Sequence, residues 1–176
     1  MWQKGILRNG LLANWSTTSQ TISAATRTYI AGSAINVPLT RLKIGTTFRW
    51  KFNIRKTAAG TAASTFDIAF GTTGTTTDTA RVSFTKPAGT AAADEGFIEI
   101  MAICRGPLSA SGIVVGEFSL IHNLASTGHA TIPCVVVNTV SSAFDVTTPT
   151  YVGICITSGA SDAITIEQVT AEVWNI

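Results

Sequence analysis

Charge is scarce in this chain. Of its 176 residues only 12% are Asp, Glu, Lys or Arg, against 45% hydrophobic, about half the charged share of an ordinary globular domain. Twelve basic and ten acidic side chains leave a net charge of +2. The basic residues are scattered singly rather than gathered into a stripe, which excludes the electrostatic footprint of a nucleic-acid binder. Long apolar runs are missing too: none approaches the roughly 18 residues of a membrane helix, so no membrane insertion is expected. Lys4 and Arg8 precede only a short apolar segment before Asn14 and Ser16, so no secretory signal is expected either. Cysteines number three and histidines two. Cys104, Cys134 and Cys155 all sit inside apolar runs without a Cys or His at metal-ligand spacing. They read as reduced, buried thiols used as small hydrophobes, in a chain assembled in a reducing cytoplasm.

The residues that carry chemistry are correspondingly few. His122 and His129 flank the loop Asn123-Leu124-Ala125-Ser126-Thr127-Gly128 and could meet across a hairpin. No acidic residue lies near them in sequence, so they read as loop-end histidines and no metal site is expected. Asp94 and Glu95 are adjacent on a Gly- and Ala-rich stretch; neighbours on a strand or loop point apart, so they read as solvated charges at a strand entrance rather than a hydrolytic pair. Glu99 and Glu117 fall in strands where outward parity is available. No serine occupies a Gly-x-Ser-x-Gly elbow, and Gly71-Thr72-Thr73-Gly74 lacks the following Lys and helix of a phosphate loop. No enzyme activity, catalytic residue or cofactor is expected.

What the chain does have is a period of two. In Phe48-Arg49-Trp50-Lys51-Phe52-Asn53-Ile54-Arg55 the apolar residues fall on one face and the polar ones on the other, the pattern of a half-buried antiparallel strand. The same period recurs to the C-terminus with no helical stretch between. Strands are expected at roughly 28–38, 46–55, 65–71, 79–85, 96–105, 112–124, 131–140, 150–157 and 163–175, separated by Gly-, Pro- and Ser-containing turns. In the last of these the alternation slips near Gln168, which predicts a bulge. The fold class is all-β: an antiparallel, two-sheet, jelly-roll-like sandwich of about eight or nine strands spanning residues 26–176. Ile98-Ile100-Ala102-Cys104 and Val135-Val137 belong to strands apolar on more than one parity. With so little charge, this fits a sheet whose outer face is buried against a neighbouring subunit, and a homotrimer is expected.

Residues 1–25 differ in composition. Trp2, Ile6, Leu7, Leu11, Leu12 and Trp15 punctuate a segment of Gly, Asn, Ser and Gln. Two readings stand: a docking segment that packs on a neighbour, or a first strand closing the domain's own sandwich. Two aromatics are also candidate ligand contacts. Tyr151 and Trp174 could stack on a sugar, Trp174 sharing a strand parity with Glu172, or pack into the protein.

Thr26-Arg27-Thr28-Tyr29-Ile30-Ala31-Gly32-Ser33-Ala34 and Leu42-Lys43-Ile44-Gly45-Thr46-Thr47-Phe48-Arg49-Trp50 resemble a module of tailed-bacteriophage virion proteins. So do Ala62-Ala63-Ser64-Thr65-Phe66-Asp67-Ile68, Ala80-Arg81-Val82-Ser83-Phe84-Thr85-Lys86-Pro87 and His122-Asn123-Leu124-Ala125-Ser126-Thr127-Gly128. The resemblance runs from about Thr26 to Trp174. It implies a structural component of the virion surface, of capsid-decorating, head-fibre or tail-fibre type, whose partners are other virion proteins. It carries no catalytic residues. The alternative it leaves open is a tail-fibre tip that binds host surface glycan.

Overall fold

The computed structural model describes residues 11–23, 25–38, 42–159 and 164–175. Among these are twelve strands and no helix. They are β1 (Leu11–Ser16), β2 (Gln20–Ile22), β3 (Thr28–Tyr29), β4 (Ile35–Val37), β5 (Thr47–Lys56) and β6 (Ser64–Gly71). The second half contributes β7 (Thr79–Lys86), β8 (Asp94–Cys104), β9 (Val114–His122), β10 (Cys134–Val140), β11 (Thr150–Thr157) and β12 (Ile164–Trp174).

All pairings are antiparallel and fall into two sheets. The larger has seven strands in the order β1-β12-β5-β8-β9-β10, with β2 also on β12; the smaller has five, β3-β11-β6-β7, with β4 also on β11. The chain crosses between sheets so that first and last strands neighbour each other in each one. That is the jelly-roll winding, here widened by the β9–β10 hairpin beside β8.

The period of two builds the core. Phe48, Trp50, Phe52 and Ile54 of β5 are all buried, as are Ile98, Ile100, Ala102 and Cys104 of β8 and Phe66, Ile68 and Phe70 of β6. Phe118 of β9 joins the layers, its ring centroid 5.3 Å from Phe66 and 5.8 Å from Phe84. Gly116 leaves the space into which Phe84 projects: a Cβ there would lie 2.8 Å from the Phe84 ring. Trp50 donates its indole N–H to the Ser33 carbonyl at 2.8 Å, so this large buried side chain leaves no polar group unmet. The expected bulge in β12 is present, the register against β5 shifting between Ile166 and Gln168.

Two expectations are revised. The segment 1–25 overlaps the sandwich, because β1 and β2 both pair with β12 and Ile22 is buried in the core. From Leu11 onward this stretch follows the first-strand reading; Trp2, Ile6 and Leu7 lie outside the described residues. The cysteines also divide. Cys104 and Cys155 are buried, and burial raises both thiols, Cys155 to about 12. Cys134 is exposed, since it sits on the outward side of the edge strand β10, opposite Ile121, where nothing overlies it among the described residues.

Candidate functional site

The two sheets treat their outer faces differently. On the smaller sheet, outward-facing Asp67, Ala69, Gly153 and Cys155 are buried. The chain itself covers them. Arg27 forms a two-pronged ion pair with Asp67, Nε to Oδ2 at 2.9 Å and Nη2 to Oδ1 at 2.6 Å. Its Nη1 donates to the carbonyls of Thr76 and Asp78, both at 2.7 Å, tying the β2–β3 connection to the β6–β7 turn. Tyr29 lies over Gly153 so closely that a Cβ there would fall 2.0 Å from the phenol oxygen.

The outer face of the larger sheet has no such cover among the described residues. Register places its outward side chains in rows that cross the strands. One row runs Trp15, Thr170, Lys51, Glu99, Ser119, Val136 from β1 to β10. The next runs Leu12, Glu172, Arg49, Met101, Glu117, Asn138. The centre is charged and pairs within itself: Arg49 reaches Glu99 at 2.6 Å and Glu172 at 3.8 Å, and Lys51 reaches Glu99 at 3.7 Å, while Arg49 Nε is buried without a hydrogen bond. The hydrogen bond that Arg49 donates to Glu99 holds its guanidinium above its ordinary pKa despite partial burial. The flanks are apolar and exposed. Leu12 and Trp15 are 52% and 60% open on the β1 side; Ile103, Ile121, Val136 and Val140 are 41%, 43%, 56% and 52% open on the β8–β10 side. Exposed apolar side chains on one sheet face make it a candidate interaction surface.

A second constellation lies where β8 begins and β9 ends. The β8–β9 register sets Gly96 opposite His122, which brings Asp94 to the histidine. Asp94 Oδ2 accepts the His122 ring N–H at 2.7 Å and the His129 backbone N–H at 2.9 Å, while Oδ1 accepts the Glu95 N–H at 2.9 Å. His122 Nε2 faces the Ile132 carbonyl at 2.5 Å, so the ring is held between the Asp94 carboxylate and a backbone carbonyl. Burial pushes Asp94 up, but the bonds from His129 and His122 outweigh it and hold the carboxyl below its ordinary value. The His129 ring is 6.2 Å from that of His122 and fully buried, with neither nitrogen hydrogen-bonded. Burial lowers it to about 4, the charge of Asp94 opposing that fall and Lys86, His122 and Lys56 adding to it. Lys86 donates to the His129 carbonyl at 2.9 Å, and Lys56 to the carbonyls of Thr90 and Ala92 at 2.6 and 2.8 Å. The cluster therefore pins the 86–93 and 123–133 loops together. Among the described residues no group of three or more His, Cys, Asp or Glu is placed to hold a metal ion. Outside it is an open cleft of about 560 Å³, lined in part by Arg55, Lys56, Asp94, Glu95, Asn123 and Leu124.

The structure thus sorts the sequence candidates. The histidines do come near each other, as a hairpin would allow, but they are buried rather than loop-end groups, and their acidic partner is Asp94, 28 residues before His122. Asp94 and Glu95 point apart as expected; only Glu95 is solvated. Nothing local in the sequence signals the Asp94–His122 pair. Tyr151 and Trp174 are on different sheets. Tyr151 faces outward from β11, its ring 3.2 Å from where a Gly74 Cβ would be, and Trp174 pairs with Thr47 on the outer side of the larger sheet. They do not form one site. Of the N-terminal residues, Leu12 and Trp15 are exposed, and the backbone of Leu11 pairs with Val173.

No protein-family model matches the chain, and no curated protein matches it. Among solved structures it is similar to the CBM2 module of the evolved Dit of Lactobacillus casei BL23 phage J-1, at 8% identity, 90% coverage of this chain and 76% of that one, with a TM-score of 0.34. An alginate lyase mutant in complex with alginate trisaccharide aligns at 11% identity over 90% and 81% of the two chains, TM-score 0.35. A legume lectin-like domain from Entamoeba histolytica aligns at 12% identity over 90% and 89%, TM-score 0.26. Likenesses this distant carry no argument about what the chain binds.

Proposed function

We propose that the chain is a non-enzymatic structural protein of a bacteriophage virion surface, a trimeric capsid-decorating or head-fibre component anchored through its N-terminal segment. The observation that carries this reading is the uncovered outer face of the larger sheet, with exposed Leu12 and Trp15 at one edge and Ile121, Val136 and Val140 at the other. A chain with 12% charged residues has little polar surface to spare, and burying such patches against other copies is the economical use for them. The resemblance of residues 26–174 to phage virion modules supplies the setting. Immunogold labelling of purified particles, with antibody raised against this chain, tests it. Regularly spaced label on intact particles is expected; protein found only in the soluble lysate would sink the reading.

A host-glycan receptor tip is the second reading, favoured by the part-exposed indole of Trp174 at the end of β12. A glycan array comparing wild type with Trp174→Ala and Tyr151→Ala separates the two. Binding to a defined host glycan, lost with Trp174→Ala, would favour the tip.

A further inference from the structure

The two apolar patches of the larger sheet differ in kind. The β1 patch is small and protruding, an indole and a leucine on an edge strand that carries a bulge between Leu12 and Asn14. The opposite patch is broad and mainly aliphatic: Ile103, Ile121, Val136 and Val140 spread over β8, β9 and β10 around Glu117, Ser119 and Asn138. Trp15 and Val136 end the same cross-strand row. Five inter-strand steps separate them, about 24 Å at the usual strand spacing, so one molecule cannot bring them together. Between them the charged centre closes on itself through Arg49, Lys51, Glu99 and Glu172.

The β10 edge explains why that side needs a partner. Sheet edges are normally blunted by charge, bulges or brevity. The β7 edge carries Arg81 and Lys86 and a register shift against β6; β3 and β4 are two and three residues long. β10 has seven residues, Cys-Val-Val-Val-Asn-Thr-Val, with no charge, no proline and an unbroken register against β9. No described strand pairs with its other edge.

We infer that the β9–β10 flank of one copy receives the Leu12–Trp15 edge of the next, a head-to-tail contact repeated around a closed ring. This rests on the self-assembly proposed above and names its surfaces. The occupant is a second copy, because the same sheet face presents both halves of the contact, an aromatic knob on a strand without charge and an aliphatic bed whose one charge on β9 and β10 is Glu117, so neither half is opposed by like charge. Contacts between two different patches generate rings when the rotation closes, which is what a trimer needs. Patches that bind their own kind would instead give a two-fold dimer.

Light scattering on charge-bearing variants tests the pairing. Trp15→Asp spoils the knob and keeps the bed; Val136→Asp spoils the bed and keeps the knob. Both positions are more than half exposed, so both variants are expected to keep the wild-type circular dichroism and melting profile. Should either misfold, Leu12→Lys and Val140→Asp replace them. Each variant alone is expected to be monomeric. Mixed in equal amounts, each lends the surface the other lacks, and a one-to-one dimer of twice 18.4 kDa appears. A variant that still assembles alone, or a mixture that stays monomeric while wild type assembles, overturns the head-to-tail contact and leaves the self-assembly reading standing. A monomeric wild type overturns both.

Discussion

Replacing Asp94 with alanine removes the acceptor of three hydrogen bonds at once, from the His122 ring and from the backbone N–H groups of His129 and Glu95. Leaving buried donors without their acceptor costs about 1–3 kcal/mol for each group. Urea unfolding of Asp94→Ala is expected to show a loss of that order, and a midpoint equal to wild type would mean the pair is ornamental. His129 adds a pH dependence of definite sign. Its ring is buried and uncharged, with its pKa lowered from 6.5 to about 4. Between those values the unfolded chain binds the proton that the folded one refuses. The stability is therefore complete above about pH 6.5, declines as pH falls, and is gone below about 4, a loss of at most about 3 kcal/mol. Asp94, also lowered, extends the decline in the same direction at still lower pH. His129→Leu should flatten the window between pH 6.5 and 4; an unchanged slope in urea midpoints would contradict this. None of this is legible in the sequence, since the partners are brought together only by the β8–β9 register. What can be read is the alternation that sets the register, and it places Glu99 and Glu117 outward correctly.

Strands are most legible where a long one has a single dry face, as β5, β8 and β9 do, whereas β6 and β11 are buried on both. β5 reads unambiguously: its four large apolar residues and four polar ones alternate without interruption, and they divide between core and surface as written. The bulge at Glu167 is visible for the same reason, a slip in an otherwise regular count. β10 is harder. With valine on both parities, alternation cannot tell the half-buried Val135 and Val137 from the exposed Val136 and Val140, and an apolar run alone does not reveal that Cys134 is exposed. β1 is harder still, because Gly, Asn and Ser hide a strand whose main support is the backbone of β12. Deleting residues 1–22 strips β12 of the partners on that edge, and thermal unfolding is expected to fall well below that of the full chain. Co-melting of the two would make this stretch an appendage. Within β9, Gly116→Ala drives a methyl group against Phe84 and Val82. Overpacking of this kind costs about 1–3 kcal/mol, or roughly 2–4 °C of melting temperature per kcal/mol for a chain of this size. A calorimetric scan that finds no drop would show that Phe84 has room to move.

At the scale of the whole molecule, an uneven distribution of cover follows from a low share of charge. The smaller sheet hides its outer face under Arg27, Tyr29 and the 72–78 turn, while the larger sheet leaves apolar flanks on either side of an ion-paired centre. Composition alone pointed toward burial between copies, and period alone toward a sandwich. Neither could say which face is offered, because that depends on where the β2–β3 connection and the β6–β7 turn come to rest. The central claim is that this face is an assembly surface, and the mass of the purified wild-type chain in solution tests it most directly. Light scattering is predicted to give three times 18.4 kDa. A monomer that persists as concentration rises would contradict the account.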